Sequence, residues 1–399
     1  MISLDRAHKI LFKNLPNPGA EEVFIEDAIG HILAENLKST VSMPPFNKSA
    51  VDGYACNHKY LRHVPAQFRS IGSIEAGGSF DKKPEPGDCV KIMTGAAVPE
   101  GFDSVIMIED TEPAGNKVIM KKKVNGGANI ARKGEDLRKG EIVLKKGEEI
   151  YGPEVMIAAS LGRRKISVYK KPEIGVLNTG NEIVDPPQKL SGNKIFNSNG
   201  PLIVSILKNL HLKVTYLGIA KDREPVLHKK ITEGLKKDIL IISGGVSVGD
   251  YDLVPPVLKK AGVRILFHTV KMKPGKPILF GVKGKTIVFG LPGNPNSNFL
   301  ATQLFIVPAI KKMMGYPDYG LKVQEGFINE DFYQKKGRKH FVLIKINRIE
   351  ERSVLSPVKS HGSADVPSLS SSDGFMILDE NSAFFKKGAK VPFITWKKI

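Results

Sequence analysis

Five polar loops punctuate the apolar stretch between Ile174 and Ser297: TGNE (Thr179 to Glu182), KDRE (Lys221 to Glu224), SGGVSVGDYD (Ser243 to Asp252), KPGKP (Lys273 to Pro277) and LPGNPNS (Leu291 to Ser297). Each directly follows a short run rich in Ile, Val, Leu and Phe, as expected of a strand buried on both faces. Helical patterns separate the runs, and apolar strands joined by helical crossovers predict a parallel sheet with helices on both faces. In such a sheet the loops at the carboxyl ends of the strands share one edge, where ligands bind. The five loops are therefore expected to build one site.

At 399 residues the chain exceeds a single core and is expected to form several domains. From Ile174 the runs IGVLN, KVTYLGIA, DILIIS, VRILFHTV and TIVFG alternate with helical patterns over PLIVSILKNL and near residues 224–236, 253–260 and 296–313, which makes 170–317 an α/β domain. Residues 41–137 are rich in Gly and Pro, with short runs such as CVKIM and DSVIMI between turn signals, and are expected to form a β-rich domain. Helical patterns near 3–13, 26–37 and 151–161 flank it, so the β-domain is expected as an insertion into a helical linker, 1–40 plus 138–169. Beyond residue 318 the alternating FVLIKI, FMIL and VPFITW predict a second small β-domain, 318–399, with Ser368 to Ser372 as a serine-rich loop. The opening MISLDRAHKILFKNL places Ile2, Leu4, Ala7, Ile10 and Leu11 at helical spacing behind a capping Ser3, a folded helix rather than a secretory leader.

Forty-one per cent hydrophobic and 25 per cent charged residues exclude wholesale disorder, and no apolar run approaches the length of a membrane span. Cys56 and Cys89 lack zinc-site spacing and are expected as reduced thiols of a cytoplasmic protein. Sixty Lys and Arg against 41 Asp and Glu leave a net charge of +19, which favours anionic ligands. The lysines are scattered and nucleic-acid signatures are absent, so nucleic acid is not the expected partner.

SGGVSVG offers Gly244, Gly245 and Gly249 after a buried strand, where backbone N–H groups can approach an anion without a Cβ in the way; as a plain turn it would only join strand to helix. It is neither a Walker A loop nor GxGxxG. Asp250 and Asp252 follow, at a position equally suited to capping a helix and to holding a metal. KPGKP sets Lys273 and Lys276 around a constrained turn that could bind a pyrophosphate or an oxyanion. LPGNPNS, with Pro292, Gly293, Asn294 and Ser297, opens a helix whose free N–H groups can receive an anion. Glu182 and Asp222 add carboxylates to the same edge, and hard oxygen ligands beside a phosphate site suit Mg²⁺. In the β-rich domain, PPFNKSAVDGYA presents Ser49, Asp52 and Tyr54, KIMTGAAVPEG carries Thr94, and RKGED carries Asp136.

In order and spacing, SAVDGYA, KIMTGAAVPEG, ARKGED, NTGNEI, SGGVSVGDYD, MKPGKP and GLPGNP resemble the molybdopterin molybdenumtransferase family, which includes the C-terminal domain of gephyrin. The likeness runs from about Ser3 to Met314; the last 80 residues match mainly through KSHGSADVPSLSSSDGFMIL. The resemblance implies a homodimer of four-domain chains: a linker and dimerisation region, the inserted β-rich domain, a molybdopterin-binding α/β domain and a C-terminal β-barrel. It implies insertion of molybdate into adenylylated molybdopterin with Mg²⁺-dependent release of AMP. By carry-over, Asp52, Asp252, Lys273 and Lys276 would be catalytic. Ser49, Thr94, Asp136, Thr179, Gly244, Gly245, Ser247, Gly249, Pro292, Gly293, Asn294 and Ser297 would bind substrate, and Glu182, Asp222, Asp250 and Asp252 would hold the metal. Asp52 would reach the cleft of the other subunit. A molybdopterin adenylyltransferase and molybdoenzyme maturation factors are the implied partners.

The chain departs from the family pattern at Asn47 and Lys48, at Asn181 where TGDE is usual, and at Pro255 and Thr269, each in place of a lysine, with Lys271 nearby. An arginine usual in the C-terminal domain has Arg338 and His340 as candidates. Two other readings compete with the transferase: a molybdopterin adenylyltransferase, which would lack the flanking domains, and a dimeric scaffold of the gephyrin type.

Overall fold

The computed structural model describes residues 1–17, 19–247 and 252–397. It divides into two compact units, one of Met1–Ala34, Gly147–Gly152 and Lys165–Ile399, the other of Glu35–Lys146 and Pro153–Arg164.

The first unit is built on a six-stranded sheet in the order Val214–Ala220, Ile174–Thr179, Ile239–Ser243, Thr286–Leu291, Leu279–Lys283, Arg264–Phe267. The first four strands pair in parallel. The sheet is not uniformly parallel as the sequence suggested: Leu279–Lys283 runs antiparallel to both neighbours. Only Gly284 and Lys285 separate it from Thr286–Leu291, and so short a connection can only reverse the chain. Arg264–Phe267, antiparallel to this reversed strand, points the same way as the parallel four, so all five polar loops still leave one edge.

Side chains alternate strictly between two cores. Ile174, Val176, Ile239, Ile241, Ile287, Phe289 and Leu291 face one, with Ile203, Leu207 and the residues from Phe299 to Met313. Leu177, Leu240, Ile242 and Val288 face the other, against Leu227, Ile231, Val254, Val257 and Leu258. This period of two with both faces buried explains why the strands read as unbroken apolar runs. The covering helices are Asn199–Asn209, Glu224–Gly234, Val254–Lys260 and the stretch from Pro295 to Met313, interrupted by a π turn over Thr302–Ile306. The first helix, Leu4–Lys13, buries Leu4, Ala7 and Leu11, and the Ser3 hydroxyl accepts the Arg6 N–H at 3.2 Å.

The C-terminal region is a closed five-stranded barrel: Lys339–Ile349, Arg352–Pro357, Gln324–Ile328, Lys390–Thr395 and Gly374–Leu378, which pairs back onto Lys339–Ile349. Met272–Lys273 joins its rim in parallel with Lys339–His340. Ser368 to Ser372, expected as a loop, begins inside a short helix, Val366–Ser370, because Asp365 caps it by accepting the Ser368 N–H at 3.1 Å.

The second unit carries a six-stranded sheet in the order Ser104–Met107, Gly53–Cys56, Asp88–Ile92, Ala66–Ile74, Lys117–Met120, Thr111–Ala114. Cys56 and Cys89 are buried free thiols on opposing rungs of neighbouring strands. Helix Gly152–Ser160 is apolar but leaves Met156 69% exposed. The helix expected near 26–37 is absent; only a 3-10 turn forms over Ile25–Asp27, and Ile32 and Leu33 make β-bridges instead. Among the described residues no helix is long and apolar enough to cross a membrane.

Candidate active site

The strand-end edge holds two adjoining chambers. The first, about 530 Å³, is lined by Asn178, Thr179, Glu182, Asn199, Asp222 and Asp252, with Gly244 and Gly245 between them. The second, about 490 Å³, is lined by Ser247, Asp252, Lys273, Lys276, Ser297 and Arg338, with Pro292 at its wall. Gly245, Asp252, Gly293 and Asn294 belong to both. One chamber is thus acidic and the other basic, with the backbone of two glycine loops between them.

The glycines are required by geometry. Gly244 has φ +95°, and a Cβ there would stand 2.5 Å from the Thr179 carbonyl oxygen. At Gly245, φ +63°, a Cβ would meet the Thr179 hydroxyl at 2.8 Å. Only glycine lets the two loops pack this closely.

In the acidic chamber, burial pushes the Asp222 carboxyl up, and the neighbouring Glu182 and Asp252 carboxylates add to the rise. Asn181, where an acid is usual, forms a reciprocal pair with Asp222: its N–H donates to Oδ2 at 3.2 Å, and its Oδ1 accepts the Asp222 N–H at 3.2 Å. The Lys194 ammonium donates to the Asn181 carbonyl. An amide here keeps the loop pairing without adding charge beside Asp222. Gly249 and Asp250 lie outside the described residues.

Asn178 and Asn199 are 1% and 8% exposed, and the sequence reading did not single them out. Asn199 donates to the Gly293 carbonyl at 2.7 Å and to the Ser243 hydroxyl at 3.2 Å, tying the helix start to both glycine loops. Asn178 donates to Asn197, which donates in turn to Asp185 and to the Tyr216 hydroxyl. A polar residue ending an otherwise apolar run, as Asn178 does in IGVLN, was the available signal.

In the basic chamber the sequence reading found both lysines, while Arg338 and Ser363 arrive from the C-terminal barrel. The pairing of Met272–Lys273 with Lys339–His340 brings them there, and the Asn294 amide donates to the Ser363 hydroxyl at 2.8 Å. Arg338 therefore lines this chamber, while His340, the other candidate for the arginine usual in the C-terminal domain, does not. Lys271 does not line the chamber.

The four remaining predicted residues belong to the second unit. Ser49 is fully buried, and its hydroxyl donates to the Val51 carbonyl at 2.6 Å, so it shapes its own loop. Asp52 is exposed, and Thr94 donates to its Oδ1 through both the backbone N–H at 2.7 Å and the hydroxyl at 2.8 Å. These bonds hold the Asp52 carboxyl below its usual range. Asp136 is exposed on a turn whose N–H donates to the Met43 carbonyl.

Comparison with known proteins finds matches along nearly the whole chain. Residues 2–162 match the MoeA N-terminal region (domain I and II), 175–312 a probable molybdopterin binding domain, and 328–396 the MoeA C-terminal region (domain IV). A molybdopterin molybdenumtransferase of Staphylococcus aureus is 33% identical over 377 residues, covering 93% of this chain and 90% of the relative. The chain belongs to the molybdopterin molybdenumtransferase family. The same-named protein of Staphylococcus epidermidis is 30% identical over 402 residues, covering 98% and 95%. A molybdopterin biosynthesis moea protein from Pyrococcus horikosii has the same fold, with TM-score 0.88, 29% identity and complete coverage of both chains. Members of this family are transferases of molybdenum cofactor biosynthesis, and this chain is one of them.

Glu182, Asp222 and Asp252 are the residues of the acidic chamber that could hold the magnesium ion the family resemblance implies. Among the described residues no three carboxylates converge into a ready cage. Glu182, Asp222 and Asp252 instead line the chamber singly, with burial first and the neighbouring carboxylates second raising the Asp222 pKa. This suits an ion that keeps most of its waters and arrives on phosphate oxygens.

Proposed function

We propose that this chain inserts molybdate into adenylylated molybdopterin and releases AMP in a Mg²⁺-dependent step. One observation carries the reading: an acid-lined chamber and a base-lined chamber share Asp252 and the Gly245 and Gly293 loops. A pyrophosphate lying across those loops would place one phosphate beside Lys273, Lys276 and Arg338 and the other beside Glu182, Asp222 and Asp252.

A water held beside bound molybdate attacks the adenylyl phosphorus, or a molybdate oxygen attacks it and water hydrolyses the resulting adenylyl molybdate; in either case the bond from that phosphorus to the bridging oxygen breaks, the bridging oxygen stays on the molybdopterin phosphate, and AMP departs. Lys273, Lys276 and Arg338 neutralise the oxyanions and hold molybdate beside the phosphate, so the second order of the reaction is removed by positioning. Mg²⁺, which Glu182, Asp222 and Asp252 would hold, would supply Lewis-acid neutralisation of the charge on the leaving phosphate. No covalent nucleophile is needed.

The chain acts as a homodimer in this reading, with Asp52, latched by Thr94, presented to the cleft of a second copy. The exposed apolar helix Gly152–Ser160 supports an association surface on that unit. The reading also places the protein in the cytoplasm, receiving substrate from a molybdopterin adenylyltransferase and passing product to molybdoenzyme maturation factors. The match of residues 2–162 and 328–396 argues against an adenylyltransferase, which lacks those regions.

Incubation with adenylylated molybdopterin, Mg²⁺ and molybdate tests it, with AMP release as the readout. AMP should appear only when both ions are present; substrate that binds but yields no AMP refutes the transferase reaction.

A further inference from the structure

Beside the basic chamber lies a third cavity of about 300 Å³, walled by Phe332, Phe341, Val358 and Phe375, with Asn296, His340, Ser360, Ser363 and Lys273 as its polar lining. It shares Lys273, Pro274 and Ser363 with the basic chamber, so the two adjoin at those residues. Its apolar walls differ in kind from those of its two neighbours.

The hydrogen-bond directions at its polar groups are determined by their partners. The Gln334 amide NH₂ donates to the Asp379 carbonyl at 2.7 Å and the Ser382 carbonyl at 2.9 Å, so its Oε1 is an acceptor. That oxygen meets His340 Nδ1 at 3.0 Å, which makes Nδ1 the protonated nitrogen. Burial, with Lys273 and Arg338 nearby, lowers the His340 pKa to about 4, so the ring is neutral at pH 7 and Nε2 carries a lone pair. Asn296, 3% exposed, donates its NH₂ to the Gly362 carbonyl at 3.3 Å and the Ser368 hydroxyl at 3.4 Å, while its Oδ1 has no partner. Both groups thus offer acceptors, and an unpaired buried acceptor is costly until a donor reaches it.

We infer that this cavity is a subsite for a planar nitrogen heterocycle, whose N–H edge donates to His340 Nε2 and Asn296 Oδ1 while its ring packs against Phe332 and Phe375 and its attached anion rests on Lys273. An aromatic cavity edged by Lys273, with Arg338 in the adjoining chamber, selects a ring joined to a phosphate. Both ends of the proposed substrate have this chemistry, the adenine and the pterin. The assignment rests on the proposed function for the identity of the ring, and not for its existence.

Calorimetric titration of the full chain with AMP, 6-carboxypterin and ribose 5-phosphate tests it. AMP or 6-carboxypterin should bind about tenfold tighter than ribose 5-phosphate, which has the anion and no ring. The preferred compound identifies the end of the substrate that the cavity takes. His340→Phe should abolish the ring preference while leaving ribose 5-phosphate binding unchanged, and His340→Gln, which keeps an acceptor, should restore most of it. In the unmutated chain the ¹⁵N resonance of His340 Nε2 should move on adding the preferred ring compound and stay put with ribose 5-phosphate, a readout that does not depend on any variant folding. An absent ring preference, one that survives His340→Phe, or an unmoved resonance overturns the inference. A chain that shows the preference yet releases no AMP from adenylylated molybdopterin overturns the transferase reaction and leaves the subsite standing.

Discussion

Thr94 latches Asp52 by placing two donors, its backbone N–H at 2.7 Å and its hydroxyl at 2.8 Å, on the same carboxylate oxygen, Oδ1. Asp52 sits at the end of strand Gly53–Cys56 and Thr94 just past its neighbour Asp88–Ile92, so the register of two strands aims an exposed acid. Thr94 therefore acts as a positioning residue for Asp52. Thr94→Val removes the hydroxyl bond and keeps the backbone one. We expect kcat to fall by about tenfold with KM little changed, and Thr94→Ser to recover most of the loss. A KM effect alone would instead give Thr94 a direct part in binding.

Asp52→Ala and Asp252→Ala should each lower kcat by about 10²-fold or more, because each removes a fixed charge from a site that works by electrostatics. Size-exclusion chromatography of both variants should match the unmutated chain. Near-normal turnover in both would refute the site assignment.

Lys276→Ala should weaken molybdate binding by about tenfold to a hundredfold, the range of one charge-assisted hydrogen bond in a partly enclosed site. Arg338→Lys should lose nearly as much as Arg338→Ala, since the guanidinium presents a planar fork that an ammonium does not. Competition by sulfate, measured for each variant, separates loss of oxyanion affinity from loss of chemistry.

His31 is held neutral by burial, with Lys171 beside it, and its pKa falls from 6.5 to about 4. The unfolded chain binds this proton below about pH 6.5 and the folded chain only near pH 4, so the stability of the fold should drop as pH falls through that window and be unaffected above it. His31→Phe should flatten the acid limb of Tm against pH between those values. An unchanged slope would show that His31 does not titrate there.

Gly53→Ala should destabilise the second unit by about 3 kcal/mol or more. A Cβ at Gly53 would stand 1.8 Å from the Ile106 carbonyl oxygen in the adjacent strand, closer than any side chain can sit. Urea unfolding followed by circular dichroism measures the loss.

Much of the site was legible because its signals are local. Runs such as ILIIS and TIVFG declare buried strands, and the polar loops after them declare an edge, from residue order alone. The reversed strand Leu279–Lys283 escaped notice because ILFGV reads like any other buried run; direction is set by the turn at Gly284, not by the strand's composition. The short helix Val366–Ser370 was hidden in a serine-rich stretch, where the Asp365 cap outweighs weak helical propensity. Residues 26–37 show the opposite error, since helical spacing there yielded to β-bridges with distant segments.

The sequence by itself determined the alternation of strands and helices in the α/β domain, the two-faced burial of the central strands, the glycine loops, and the lysines and acids on one edge. Those properties depend on side-chain period and backbone freedom within a few residues. Only the tertiary structure decided that Arg338, His340 and Ser363 join that edge. The decision rests on Met272–Lys273 pairing with Lys339–His340 across the barrel rim and on the barrel closing through Gly374–Leu378. Pairing between segments so far apart in the chain depends on which edges the folded core leaves open, and no local pattern encodes that.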